Sequence, residues 1–270
     1  MFVSKEFVYI ELQKTGCSHI TKILDHILIG RIDGKHNQID HDTLNSGRKI
    51  IGSIRNPWDL YLSIWSYGCD QKGAMYRSLT GNVKYKSRIH SLTSRIIKLF
   101  NGTRKIEKVW MDLYSNVENA AAFRRWLYMI HDERNMAQIG GGYGTSPIRS
   151  FVGVLTYRYL YLYCSHRDSN ALLDSSITDS DILKCSIDDC FVDFFIRNEN
   201  LTQDTLRYLS YNGVDVSESQ RDHIASWPKT NQSTRRKSAK HYYDADTIEL
   251  VRKRDKIIVD KFSYEAPRIE

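Results

Sequence analysis

Residues 13–18, Gln-Lys-Thr-Gly-Cys-Ser, place a lysine, a glycine and small hydroxyl side chains in one short segment. An apolar strand pattern precedes them, and a helix pattern with apolar residues at i, i+3, i+4 and i+7 begins at Ile20. A loop between a strand and a helix N-terminus binds anions, because backbone N–H groups converge there and the helix dipole is positive. Lys14 adds a full charge, so the segment predicts a phosphate or sulfate site. It departs from the Walker ATP-binding pattern, since the lysine precedes the glycine.

A second segment with phosphate-binding chemistry lies at residues 49–67. Its first part is an apolar strand pattern that ends at Arg55, and Asn56 and Pro57 suit the N-cap and first position of a following helix. Ser63 then falls in the second turn of that helix. Ligands of open α/β sheets collect at the carboxyl ends of strands. Arg55 is therefore expected to grip a phosphate through two N–H groups, and Ser63 to add a hydroxyl donor.

The two segments together resemble the cofactor motifs of sulfotransferases that use 3′-phosphoadenosine 5′-phosphosulfate (PAPS). Residues 13–18 resemble the loop that holds the 5′-phosphosulfate. The sequence Arg-Asn-Pro-x-Asp, with a serine eight residues after Arg55, resembles the motif that holds the 3′-phosphate. The resemblance implies a set of cofactor-binding residues in the two motifs and in a C-terminal loop. They are Lys14, Thr15, Gly16, Cys17, Ser18, His19, Arg55, Ser63, Ser233 and Arg235.

The C-terminal part of the chain is similar to the carbohydrate branch of that family. Residues 241–264 resemble its closing segment, a Tyr-Tyr-Asp sequence followed by an amphipathic helix and Phe-x-Tyr. Residues 231–235, which contain Ser233 and Arg235, resemble the loop that closes over the cofactor. Residues 191–213 resemble a strand–loop–helix unit of the family. No resemblance covers residues 70–188, which are expected to form a variable acceptor-binding insertion in a single domain of residues 1–270.

Sulfuryl transfer needs a cation beside the leaving phosphate and a base for the attacking hydroxyl. Lys14 is the predicted cation. Histidine suits the base, because its ordinary pKa of about 6.5 leaves the ring neutral at neutral pH. The Lys35-His36 pair resembles the pair that bacterial carbohydrate sulfotransferases place ahead of the 3′-phosphate strand, which implies that His36 is the base. His41, a carboxylate such as Asp33, or no single base are the open alternatives.

Composition limits the class of protein. The chain has 270 residues, a mixed charge content of 26% and a formal net charge of +7, which fit a globular protein that attracts anionic ligands. The basic residues are scattered and match no nucleic-acid-binding motif, so nucleic acid is not an expected partner. The five cysteines are odd in number and irregularly spaced, which predicts reduced thiols and no zinc site. The absence of a leader or anchor pattern predicts a cytoplasmic protein.

These observations lead to one expected function and two rivals. The resemblance implies an α/β, P-loop-NTPase-like three-layer fold with a central parallel sheet flanked by helices. It also implies a PAPS-dependent transfer to a hydroxyl of a saccharide or glycolipid, without a metal, and contact with a membrane only through the acceptor. A P-loop kinase of small molecules and a polyanion-binding or nucleic-acid-binding protein are the alternatives.

The middle of the chain gives weaker signals. Residues 117–130 have the spacing of a helix. The glycine-rich residues 140–144 are expected to form a mobile loop, because glycine is a permissive hinge. Residues 151–164 are aromatic and apolar, and their pattern is compatible with either a buried helix or a strand.

Overall fold

A computed structural model describes residues 1–81, 103–164, 171–228 and 234–269. Its strands are β1 (Phe2–Ser4), β2 (Phe7–Tyr9), β3 (Gly30–Ile32), β4 (Lys49–Ile54) and β5 (Phe194–Arg197). Up to residue 164 the helices are α1 (Cys17–Ile27), α2 (His41–Leu44), α3 (Pro57–Cys69), α4 (Ala74–Leu79), α5 (Thr103–Leu113), α6 (Ala120–Ile130), α7 (Glu133–Met136) and α8 (Val154–Tyr163). Beyond it they are α9 (Asp179–Asp188), α10 (Leu201–Tyr211), α11 (Glu218–Ala225), α12 (Ala239–Tyr242), α13 (Ala245–Arg254) and α14 (Lys256–Phe262).

Short 3₁₀ turns also occur, at Tyr143–Thr145, Pro147–Ser150, Ala171–Leu173 and Asn198–Asn200. The first of them overlaps the end of the glycine-rich segment, residues 140–144, that the sequence predicts to be a loop. Across the ranges that the structure describes, no helix combines the length and the apolar character needed to cross a bilayer.

The protein is an α/β protein built on a mixed five-stranded sheet with the order β3-β1-β2-β4-β5. The expectation of a central parallel sheet holds for the pairs β2–β4 and β4–β5 and is wrong at β1, which runs antiparallel to both β2 and β3. The physical reason is the connection: only Lys5 and Glu6 join β1 to β2, and a parallel pair needs a crossover of a dozen or more residues. Strands β2, β4 and β5 are parallel. Since β3 is antiparallel to β1, it shares their direction.

The direction of the strands decides where loops meet. The carboxyl ends of β2, β3, β4 and β5 all reach the same edge of the sheet, which we call the carboxyl edge. The loop before α1, the segment that contains His36, Arg55 and the turn at Asn198–Asn200 each follow one of these strands. The topology therefore brings the segments singled out by the sequence to one edge.

The sheet is packed through alternating side chains. The ring of Phe194 stacks on Tyr208 of α10 at a centroid distance of 4.4 Å. The next residue, Phe195, lies against Tyr163 of α8 and Phe262 of α14, at 5.2 and 5.0 Å. Successive strand residues point to opposite faces, so helices pack on both faces of β5.

Residues 151–164, whose pattern is compatible with a buried helix or a strand, contain the helix α8. All of its residues are buried except Arg158 and Tyr161, which are half-buried. An element buried on nearly all sides carries apolar residues all round, which removes the periodicity that separates helices from strands.

The Cα positions divide the chain into two compact units. The first comprises residues 1–60, 146–232 and 254–265, and it contains the whole sheet. The second comprises residues 61–145, 233–253 and 266–270. Its core is aromatic: Trp65 meets Phe123 edge-on at 5.4 Å, and Trp126 donates a hydrogen bond to the Tyr114 hydroxyl at 2.6 Å. The segment 70–188, expected as an insertion, is divided between the two units.

Candidate anion-binding site

The loop between β2 and α1 leads into a helix whose start has no side-chain cap. Helix α1 begins at Cys17, with Gly16 as its N-cap in the left-handed conformation at φ 85°. No side chain caps this helix and its first turn contains no acidic residue. The backbone N–H groups of the first turn are therefore not taken by a side-chain cap, which favours binding of an anion there. Ser18, half-buried, follows within the same first turn.

Lys14 has an uncommon backbone conformation for its residue type. Its φ is 67°, a value that sterically favours glycine, and its side chain is half-buried. Left-handed φ values at non-glycine residues concentrate at functional sites, because surrounding contacts must hold them. Within the part of the chain that the structure describes, four non-glycine residues have such a φ: Lys14, His36, Gln71 and Ser263. Both residues predicted to be catalytic are among them.

Thr15 holds the loop against the sheet. Its buried hydroxyl donates to the Leu12 carbonyl at 2.6 Å and shares a hydrogen bond with the Ser53 hydroxyl at 2.7 Å. Ser53 in turn pairs with the Tyr9 hydroxyl at 2.8 Å. The Thr15 side chain thus connects the loop to β4 through its hydrogen bond with Ser53. For an anion in the loop, Thr15 can offer its backbone N–H only.

Arg55 connects the two predicted motifs. It follows β4 directly, is half-buried, and donates from Nη1 to the Lys14 carbonyl at 3.0 Å. The next residue, Asn56, accepts the Trp58 N–H on Oδ1 at 3.0 Å, as expected for the residue that caps α3. A guanidinium in contact with the loop backbone adds a second cation to the anion site. Ser63, half-buried in α3, belongs to the second unit, and its approach to the same ligand stays a prediction.

His36 also lies at the carboxyl edge. Its Nδ1 is 3.1 Å from the Glu11 carbonyl oxygen, in the same loop that contains Lys14. A carbonyl oxygen can only accept, so Nδ1 holds the proton and Nε2 keeps its lone pair in the neutral ring. Burial lowers the pKa of His36, opposed by the Glu11 carbonyl and carboxylate and reinforced by Arg158 and Lys35. The ring is therefore a neutral proton acceptor at neutral pH.

Glu11 is a buried acid that sequence reasoning missed. One carboxylate oxygen accepts the Thr21 hydroxyl at 2.7 Å, and the other lies 3.9 Å from the amino group of Met1. Glu11, Cys17 and His36 each turn one donor atom toward the others, all within 4.8 Å. Burial raises the pKa of the Cys17 thiol, and the amino group balances the Glu11 charge. We interpret this group as a polar cluster that packs beneath the loop and helps to fix it. An acidic residue directly after an apolar strand was the available signal.

The other predicted residues have different surroundings. The ring nitrogen Nε2 of His19 pairs with the Thr202 hydroxyl of α10 at 2.8 Å, and burial lowers the pKa of His19. His41 is exposed and hydrogen-bonds with Asn45, four residues on in the chain. Arg235 is in the second unit, where Nη1 donates to the Lys237 carbonyl at 3.0 Å. Ser233 lies outside the described residues.

Gly16 packs against the start of α10. A substitution there tests how much space the loop has. A Cβ at Gly16 would lie 2.4 Å from Leu201 Cδ1 and 3.1 Å from Asn198 Nδ2. Gly16→Ala is expected to lower the free energy of unfolding by about 1–2 kcal/mol for the left-handed φ and by a further ~1–3 kcal/mol for overpacking. The measurement is urea unfolding followed by circular dichroism.

Gly213→Ala is the matched control. Gly213 has a similar φ of 80°, and a Cβ added there would have open space around it, with none of the described residues within 4 Å. The control should show the cost of the backbone conformation alone. Equal losses in the two variants would mean that α10 does not confine the loop.

The site thus contains two cations, an uncapped helix N-terminus and a neutral imidazole at one edge of the sheet. These groups can bind a doubly or multiply charged anion and accept a proton next to it. No protein-family model matches the sequence, and neither a curated protein nor a solved structure matches it.

Proposed function

We propose that the protein transfers a sulfuryl group from PAPS to a hydroxyl of a saccharide or glycolipid acceptor. The observation that carries the proposal is the contact between the two motifs: Arg55 Nη1 lies 3.0 Å from the Lys14 carbonyl oxygen. Each motif alone is short enough to occur by chance. Their meeting at one sheet edge is what a donor with phosphates at both its 3′ and 5′ positions requires.

The expected P-loop-like, three-layer arrangement is part of the same proposal. It is supported by three adjacent parallel strands, β2, β4 and β5, and by helices on both faces of β5. It is also supported by the position of the loop, which leads from β2 directly into α1. Strand β1 and its hairpin are an addition to that arrangement.

The roles of the residues follow from where charge and protons must go. PAPS supplies the sulfuryl group and leaves as 3′-phosphoadenosine 5′-phosphate. Lys14, together with the amides of residues 15–18, stabilises the negative charge that develops on the leaving phosphate oxygen. His36 Nε2 takes the proton of the acceptor hydroxyl as its oxygen bonds to sulfur. Arg55 binds the 3′-phosphate and, through its contact with Lys14, positions the loop.

Further contacts complete the proposal. The resemblance implies that Ser63 contacts the 3′-phosphate and that Ser233 and Arg235 contribute to nucleotide binding, and these three contacts stay predictions. The acceptor is the only route by which the protein would meet a membrane, nucleic acid is not a partner, and the reaction needs no metal. A cytoplasmic location fits an acceptor that is a precursor of a glycolipid or polysaccharide.

The test is a thermal-shift comparison between nucleotides that differ in one phosphate. A ligand that binds only the folded state raises the melting temperature in proportion to the logarithm of its concentration over Kd. 3′-Phosphoadenosine 5′-phosphate is expected to raise it well above the value reached with ADP or AMP, without Mg²⁺. Arg55→Ala should remove most of that difference, because the guanidinium is the predicted partner of the 3′-phosphate.

Arg31→Ala is the control for net charge, since Arg31 is an exposed arginine of β3 in the same unit. It should leave the difference between nucleotides unchanged. Equal stabilisation by nucleotides with and without the 3′-phosphate would overturn the assignment. Stabilisation by ATP that requires Mg²⁺ would favour the small-molecule kinase, and indifference to all nucleotides would favour the polyanion-binding protein.

A further inference from the structure

Three of the five cysteines form a cluster in the first unit, which we call the thiol cluster: Cys164, Cys185 and Cys190. Cys164 follows α8 as its C-cap and is 3% exposed. Cys185 lies in α9, and Cys190 lies between α9 and β5; both are half-buried. The Cys164 thiol is in hydrogen-bonding contact with the sulfurs of both other cysteines. Cys164 is thus a buried thiol with two more accessible neighbours.

The backbone holds two members of the cluster side by side. The N–H of Phe191 donates to the Tyr163 carbonyl at 3.2 Å, so the residues next to Cys190 and Cys164 are joined directly. The chain after Cys190 is fixed to the sheet, since the Asp193 N–H donates to the Ile50 carbonyl at 2.9 Å. These backbone hydrogen bonds hold Cys190 close to Cys164.

The polar surroundings distinguish Cys190 from Cys185. The Cys190 sulfur accepts hydrogen bonds from the Cys164 thiol and the Val192 N–H, and the Lys261 ammonium is near it. Lys261 is itself anchored, since Nζ donates to the Ser186 carbonyl at 2.6 Å.

These contacts change the pKa values of all three thiols in the cluster. They lower the pKa of the Cys190 thiol, the Cys164 hydrogen bond being the largest cause. The hydrogen bond with Cys164 also lowers the pKa of the Cys185 thiol, but burial, Asp189 and Cys190 oppose that shift. The pKa of Cys164 is raised by its hydrogen bonds to Cys185 and Cys190 and by burial. The cluster therefore pairs a half-buried thiol of lowered pKa with a buried, protonated thiol in contact with it.

We propose that Cys190 is a site of oxidation by hydroperoxides and that Cys164 then closes a Cys164–Cys190 disulfide. The Cys190 sulfur attacks one peroxide oxygen, the O–O bond breaks, and the departing hydroxide takes a proton from solvent and leaves as water. Cys190 becomes a sulfenic acid. The Cys164 sulfur attacks the oxidised sulfur, the S–O bond breaks, and the hydroxyl leaves with the thiol proton as a second water. The two thiols supply the two electrons that reduce the peroxide.

The experiment treats the reduced full-length chain with hydrogen peroxide, blocks the remaining thiols with N-ethylmaleimide and maps peptides by mass spectrometry without reductant. The expected product contains a cross-link between the Cys164 and Cys190 peptides and has lost two free thiols. In Cys164→Ala, dimedone should trap a sulfenic acid on Cys190. Cys190→Ser should give neither product.

Two controls separate this chemistry from general thiol oxidation. Cys185→Ser, in the same cluster, should keep the cross-link, and Cys69→Ser, in the second unit, should not alter it. If Cys164→Ala does not fold, alkylation of the unmodified chain still tests the proposal. At pH 7, Cys190 should react with iodoacetamide far more than about tenfold faster than Cys69, because burial and Asp70 raise the pKa of the Cys69 thiol whereas that of Cys190 is lowered. First oxidation at Cys185 or Cys17, or a Cys164 disulfide that persists in Cys190→Ser, would overturn the proposal.

Discussion

Lys14→Ala is expected to slow sulfuryl transfer by about 10²–10³-fold while affinity for 3′-phosphoadenosine 5′-phosphate changes little. Residues 10–16 contain one basic side chain, that of Lys14. Its ammonium acts on charge that develops only as the bond to the leaving phosphate breaks, so its loss affects the transition state more than the bound ground state. Initial rates and calorimetric binding, measured on the same preparation, separate the two effects.

The left-handed backbone of Lys14 permits a second variant that separates strain from chemistry. At φ 67°, a residue with a side chain is less stable than glycine by about 1–2 kcal/mol. Lys14→Gly should therefore unfold at a higher urea concentration than Lys14→Ala, with the same loss of turnover. Gln71→Gly, at φ 57° in the second unit, is the control that should gain stability without losing activity. Near-normal turnover in both Lys14 variants would show that the loop is only structural.

The elements that build the site could be predicted from the sequence because their signals are local. Strand β4 and helix α3 occur where the apolar run, Asn56 and Pro57 place them. Helix α1 begins at the predicted loop, and its apolar residues Ile20, Ile23 and Leu24 are buried. Each of these predictions depends on residues within a few positions of one another, which is the range over which capping and periodicity act.

What could not be predicted depends on contacts between distant parts of the chain. The role of Glu11 as a buried acid is set by Thr21, Met1 and His36, and no local pattern reports those contacts. The family resemblance of residues 241–264 implies one helix, whereas the segment forms α13 and α14. The break is at Asp255, a buried carboxylate that accepts the Thr156 N–H and hydroxyl, each at 2.8 Å.

Motif membership is also a poor guide to what a side chain contacts. Thr15 and His19 both belong to the predicted phosphosulfate loop. The Thr15 hydroxyl is used inside the fold, against Leu12 and Ser53, and the His19 ring is paired with Thr202. A loop that binds anions through backbone N–H groups leaves its side chains available to fix the loop. Their residue types therefore report the stability of the loop as much as its ligand.

His36→Ala is expected to lower the transfer rate by about 10²–10⁴-fold and to leave nucleotide binding almost unchanged. The ring is the predicted base, and its described hydrogen bond is to the Glu11 carbonyl. Because His36 has a φ of 56°, asparagine is the better replacement for the backbone, since asparagine tolerates that region. His36→Asn should thus fold normally and lose the same activity. His41→Ala, which changes an exposed histidine, should retain activity.

The pH dependence of the wild-type rate identifies the base independently of any folding defect. Only the neutral ring can take the acceptor's proton, so the rate must fall as pH drops through the pKa of His36. Burial lowers that pKa from the ordinary value of 6.5, and the acid limb is therefore expected below pH 6.5, not above it. The residual rate of His36→Asn should lack this limb. If the limb persists in His36→Asn and disappears in His41→Ala, the base is His41. The nucleotide assignment, which depends on Lys14 and Arg55, would then stand without His36.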